Sequence, residues 1–124
     1  MLAGVRRQIQ EAREALIASA EATAKGDVDP AYRLALRSRN LVFHATRGLA
    51  AARGEEMPEM PVTGAPGGHA GDHAPALAAL TAALAASDDA RDMPAHLEAA
   101  RAPYAGYLGW LREEVAKILK PPSR

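Results

Sequence analysis

Residues 30–53 read PAYRLALRSRNLVFHATRGLAAAR, and this stretch decides the fold class. It contains Arg33, Arg37, Arg39, Arg47, Arg53 and His44 but not one Asp or Glu. At about 100° per residue, Leu34, Leu41, Val42, Ala45 and Leu49 fill a broad apolar arc, with Tyr32, Leu36 and Phe43 along its flank. Arg33, Arg37, Asn40, His44 and Arg47 fall within about 80° of one another and form a separate polar stripe. A segment with one apolar face and one charged face is an amphipathic helix. Asp29 followed by Pro30 suits a cap and first helical position, and Gly54 suits the stop.

The flanking sequence extends the helical pattern in both directions. Upstream, Leu2, Val5, Ile9, Ala12, Leu16 and Ala20 recur at three- and four-residue steps, which predicts a first helix over 2–25 ended by Gly26. The short connection to the second helix predicts an antiparallel hairpin. Downstream, residues 55–71 hold Pro58, Pro61, Pro66 and a cluster of glycines without periodicity. This predicts a long loop, taken with its flanks as 54–73 and read as mobile. A third helix follows over 73–86 with Leu77, Leu80 and Leu84 on one stripe and Asp72 as a cap; Ser87, Asp88 and Asp89 end it. The last helical stretch runs from Asp92 or Pro94 to Lys120 on Leu97, Tyr104, Leu108, Leu111, Val115 and Ile118. Pro103 should kink or split it, and Pro121 and Pro122 end it. The expectation is a single all-α domain over 1–124. It is an antiparallel bundle of four to five helices with a long Pro/Gly-rich loop between helices two and three.

The chain has 124 residues, 48% apolar, with aromatic side chains at only 4%. Alanine forms helix readily but buries little area, so the core rests on few large side chains. That makes burial by homo-oligomerisation an expectation. Fifteen basic and fifteen acidic residues cancel, which argues against a polyanion binder acting through overall charge and leaves a local basic face open. Cysteine is absent, which removes disulfides, thiolate zinc sites and cysteine nucleophiles. The charged start, MLAGVRRQIQEAREAL, has no signal-peptide pattern and predicts a cytoplasmic protein. The longest apolar run, 74–86, falls well short of the roughly 20 residues that span a bilayer, so no membrane is expected.

Several residues carry possible chemistry. An Arg/His/Asn row can hold phosphates and base edges: arginine forks match phosphate oxygens, and asparagine both donates and accepts. Arg33, Arg37, Asn40, His44 and Arg47 are therefore the candidate binding residues, weighed against a solvated face paired with Glu11, Glu14 or Glu21. Arg39 falls inside the apolar arc, where a guanidinium needs acceptors, a second subunit or a ligand. Tyr107 and Trp110, beside the small Gly106 and Gly109, form with Arg39 a candidate partner surface, weighed equally against packing on helix one or the long loop. His69 and His73, near Asp72, Met57 and Met60, lack a third ligand, so no metal is expected. No phosphate loop, nucleophile elbow, HExxH or paired-carboxylate motif is present, and no cofactor is expected.

SRNLVFHATRGLAAARG, residues 38–54, resembles the second helix of HEPN-domain proteins. The positions that match are Ser38, Arg39, Val42, Phe43, His44, Ala45, Leu49 and Gly54. His69 and His73 in GGHAGDHAPALAAL, and the final RAPYAGYLGWLREEVAKIL, agree in outline. The resemblance implies an all-α, often dimeric protein of toxin–antitoxin or defence systems, commonly paired with a small nucleotidyltransferase. Many members are endoribonucleases with an Arg-x4–6-His motif. Arg39 with His44 and Arg91 with His96 fit that spacing here. Five helical residues set Arg39 and His44 about 140° apart, whereas Arg37 and His44 share a face. Met93 and Pro94 interrupt the second stretch. His44, Arg37, His96 and Arg91 are thus the catalytic candidates.

The leading expectation is a HEPN-like binding module, homodimeric, whose basic second-helix face meets RNA, a nucleotide or an acidic protein. The alternatives are a metal-independent endoribonuclease, with histidine and arginine acting on the 2′-hydroxyl and the developing phosphorane charge, and an assembly protein acting through helix packing.

Overall fold

A computed structural model describes residues 2–56, 61–86 and 91–119. The described residues are all-helical. They form α1 (Leu2–Ala24), α2 (Val28–Arg53), a single 3-10 turn (Ala70–Asp72), α3 (His73–Ala85), α4 (Met93–Ala99) and α5 (Arg101–Leu119). The helix stop expected at Ser87, Asp88 and Asp89, the side chains of Met57 and Met60, and the terminator at Pro121 and Pro122 lie outside the described residues.

α1 and α2 meet through small residues. Ala12, Ala15, Ala31, Ala35 and Ala45 are all buried, and such side chains let two helix axes approach closely. Contacts that climb α1 descend α2: Val5 lies against Gly48, Ala12 accepts from Ser38, and Ser19 donates to Ala31. The two helices therefore run side by side in opposite directions. Their connection turns at Gly26, whose φ of 80° is a left-handed conformation that glycine adopts freely. Gly54 closes α2 in the same way at φ 69°, its N–H reaching back to the last turn.

α3 lies along α1. Arg6 grips the free carbonyls at the end of α3, donating to Leu84 O and Ala86 O at 2.7 Å each, and Arg13 Nε donates to Thr81 Oγ1 at 3.1 Å. The two Arg6 bonds satisfy carbonyls that a helix end otherwise leaves to water.

The late helical stretch is two helices rather than one. α4 ends at Ala99 and α5 begins at Arg101, two residues before Pro103. Proline at 103 cannot donate to Ala99, and its ring crowds that carbonyl, so the break falls one turn upstream. The splitting expected at Pro103 is what the described residues show.

α5 closes the core with two buried tyrosines, Tyr104 and Tyr107. Ser38 Oγ donates to Ala12 O at 2.7 Å, and Tyr104 bonds the same hydroxyl. Because Ser38 has spent its single proton, Tyr104 is the donor. The second relay mirrors the first: Ser19 Oγ donates to Ala31 O at 2.6 Å and accepts from Tyr107 at 2.8 Å, with Thr23 Oγ1 3.0 Å from the same phenol. One serine from each of α1 and α2 thus crosses to the other helix and is capped by a tyrosine of α5. No buried side-chain polar atom among the described residues lacks a partner.

Residues 61–72 are seated on α5. Ala65 N–H donates to Ala105 O at 2.8 Å. The backbone of this segment runs directly over Gly106 and Gly109: a Cβ on Gly109 would stand 1.8 Å from Ala65 O, and one on Gly68 would stand 1.9 Å from Gly106 O. Only residues without side chains permit this approach. Across this contact glycine faces glycine: Gly64 lies against Gly109 and Gly68 against Gly106. No helix among the described residues is long and apolar enough to cross a membrane.

Candidate functional site

The outer face of α2 carries Arg33, Arg37, Asn40, His44 and Arg47, all five exposed. The opposite face buries Ala31, Ala35, Ser38, Val42, Ala45 and Leu49. The two sets are half a turn apart, so packing the alanine face against α1 and α5 necessarily turns the stripe outward. From Arg33 to Arg47 the row is about 21 Å long at 1.5 Å per residue.

The acids of α1 do not neutralise this row. Arg33 pairs with Asp29 of its own helix at 2.8 Å, but the side chains are 77% and 51% exposed, and an exposed i,i+4 pair is weak. Among the described residues no acid pairs with Arg37 or Arg47. Arg47 stands over the Phe43 ring, 5.8 Å from its centroid, and the His44 ring is 6.0 Å from the same ring. A cation and two rings therefore gather at the C-terminal half of the stripe, a combination that stacks on bases and grips phosphates.

Arg39 lies off the stripe, in the neighbouring groove. Its Nη1 donates to Val62 O at 3.0 Å, while Nε and Nη2 donate to Asn40 Oδ1 at 3.1 and 2.9 Å. The acceptors expected for a guanidinium in the apolar arc are thus a backbone carbonyl and a side-chain amide. With its Oδ1 occupied, Asn40 keeps its amide donors for the outer face. Arg39 and His44 point to different sides of α2 and share no site within the chain.

Arg39 also borders a pocket walled by Val42, Phe43, Val62, Leu97 and the ring of Tyr104, with Glu98 and Arg101 on its exposed rim. The pocket volume is about 60 Å³. The Tyr104 hydroxyl is turned to Ser38, and burial pushes this phenol well above the usual tyrosine range. It stays neutral and offers the pocket only its ring.

Of the partner-surface candidates, Tyr107 is placed in the core. Tyr107 is fully buried, with its hydroxyl on Ser19 and Thr23 and its ring 5.6 Å from that of His73. Trp110 is half-buried and packs on the core edge. The thin Gly106–Gly109 face that suggested a partner is covered by the chain's own residues 64–68. Tyr107 is therefore a core residue in this chain, since the small neighbours that would have exposed it are filled from within.

His96 is half-buried on α4 and Arg91 is exposed just before that helix; neither lines the pocket. His73 Nδ1 bonds Ala70 O at 2.8 Å, and the His69 backbone N–H donates to Asp72 Oδ2 at 2.8 Å. No group of three or more metal-ligating side chains gathers among the described residues. Sequence reasoning did not identify Ser19, Val62, Glu98 or Arg101. Ser19 had a readable signal, standing seven residues after Ala12 on the same apolar stripe, as Ser38 stands seven after Ala31. Comparison with models of known families, with curated proteins and with solved structures finds no match to this chain.

Proposed function

We propose that this chain is a small binding module of HEPN type. In this reading its helices form one antiparallel bundle, with the Pro/Gly-rich segment strapped to α5, and the outer face of α2 docks single-stranded RNA. The observation that carries the proposal is the basic row on α2, which meets an acid only at Arg33 among the described residues. Arg37, His44 and Arg47 are exposed along one line beside Phe43, and no described acid pairs with either arginine. Three arginines spaced over about 21 Å follow an extended phosphate backbone, and the Phe43–His44 pair offers a surface for a base. Zero net charge means that binding must come from this local row.

The test incubates the protein with a mixed RNA pool at low and moderate salt, scoring retardation and cleavage together. Retardation without cleavage, lost on Arg37→Glu with Arg47→Glu, is the expected result. Binding that survives both reversals overturns the assignment of the face. Cleavage that disappears with His44→Ala or His96→Ala replaces the binding module with an endoribonuclease.

A further inference from the structure

We propose that the pocket between α2, Val62 and the α4–α5 break binds a small carboxylate with a short apolar tail, of roughly four to six carbons. The size follows from the volume. At about 10–15 Å³ for each water-sized occupant, the 60 Å³ pocket admits a handful of non-hydrogen atoms. This is far below a nucleotide or a drug-sized ligand. The tail's chemistry follows from the walls, which are Val42, Phe43, Leu97, Val62 and the ring face of Tyr104.

The charge of the head group follows from the rim. Arg39 and Arg101 face one carboxylate, Glu98, so the pocket carries one net positive charge. Glu98 engages Arg101 only at 3.6 Å, with both side chains more than half exposed, so the pair is easily opened. Arg39 has five N–H donors and commits three, to Val62 O and Asn40 Oδ1. One N–H on each terminal nitrogen is left to donate to a carboxylate. Thr46 spends its proton on Val42 O and does not compete as a donor. An alcohol or amide of the same length would fill the walls but leave the charge unmatched.

The experiment is a titration of the full chain, methyl-labelled for NMR, with acetate, butyrate, hexanoate and decanoate, and with hexanol and hexanamide as controls. Hexanoate should give saturable shifts at the methyls of Val42, Val62 and Leu97, with a Kd in the millimolar range for so small a ligand. Affinity should rise about fourfold per added methylene up to six carbons and then stop rising. Arg101→Gln should weaken hexanoate several-fold. Because Arg39→Gln also releases Val62, Leu97→Phe is the second variant: it fills the pocket without altering charge and should abolish the shifts. Non-saturating shifts, equal binding of hexanol, continued gain at decanoate, or wild-type affinity in a folded Leu97→Phe each overturn the proposal.

Discussion

Ser38 and Tyr104 show how one hydroxyl can organise a helical core. The serine proton goes to Ala12 O and the tyrosine proton to the serine, so removing either group has a different cost. Ser38→Ala strands a buried phenol and should cost about 2 kcal/mol, whereas Tyr104→Phe removes one bond and should cost about 1 kcal/mol. The double variant should cost less than the sum, measured as a cycle in urea unfolding. The same tyrosine sets an alkaline limit. Its folded-state pKa is raised by burial, while the unfolded chain ionises near 10. Below pH 10 both states keep the proton and this group contributes no pH dependence. Above it the unfolded state alone releases the proton, so stability should fall by up to about 1.4 kcal/mol per pH unit. Tyr104→Phe should flatten that slope between pH 10 and 12, read as the urea midpoint against pH.

At the scale of elements, the seat of residues 61–72 on α5 depends on paired glycines. Gly109→Ala raises helix propensity, yet it drives a Cβ to 1.8 Å from Ala65 O. The clash wins because it is with backbone, and the segment must lift. Protection of the Ala65 amide from hydrogen exchange should then be lost, and cleavage within 61–68 by added protease should accelerate. Gly71→Ala is the matched control: nothing lies within 4 Å of its added Cβ, and it should change stability by no more than about 0.5 kcal/mol. Unchanged protection in Gly109→Ala would refute the direct backbone contact. α5 thus buries Tyr104 and Tyr107 on one side and seats residues 61–72 on Gly106 and Gly109 on another.

At the scale of the whole molecule, the proposed RNA face is a charge arrangement on a neutral chain. Three arginine–phosphate contacts on a single strand predict a log–log salt slope of about −2, and each reversal to glutamate should flatten it by at least about 0.7. Filter binding across a salt series measures this, and a salt-independent affinity would exclude the stripe as the contact. The stripe itself was legible from the spacing of Arg33, Arg37, Asn40, His44 and Arg47, because helical periodicity assigns a face without reference to neighbours. What occupies the Gly106–Gly109 face was not legible: a thin helix surface reads alike whether a partner or the chain's own loop lies on it. Arg39 was legible only in part, since its position in the apolar arc demanded acceptors but did not name Val62.

The amino-acid order by itself determined the helices, their stops at Gly26 and Gly54, the split near Pro103 and the outward turn of the basic row. Each of these follows from local backbone preference or from a period of 3.6, which act within a few residues. Only the tertiary structure decided that Tyr107 is core, that residues 61–72 lie on α5, and that Val62, Leu97 and Arg101 share a pocket with Arg39. Those outcomes depend on contacts between residues far apart in the chain, where close packing admits one arrangement and no local signal encodes it.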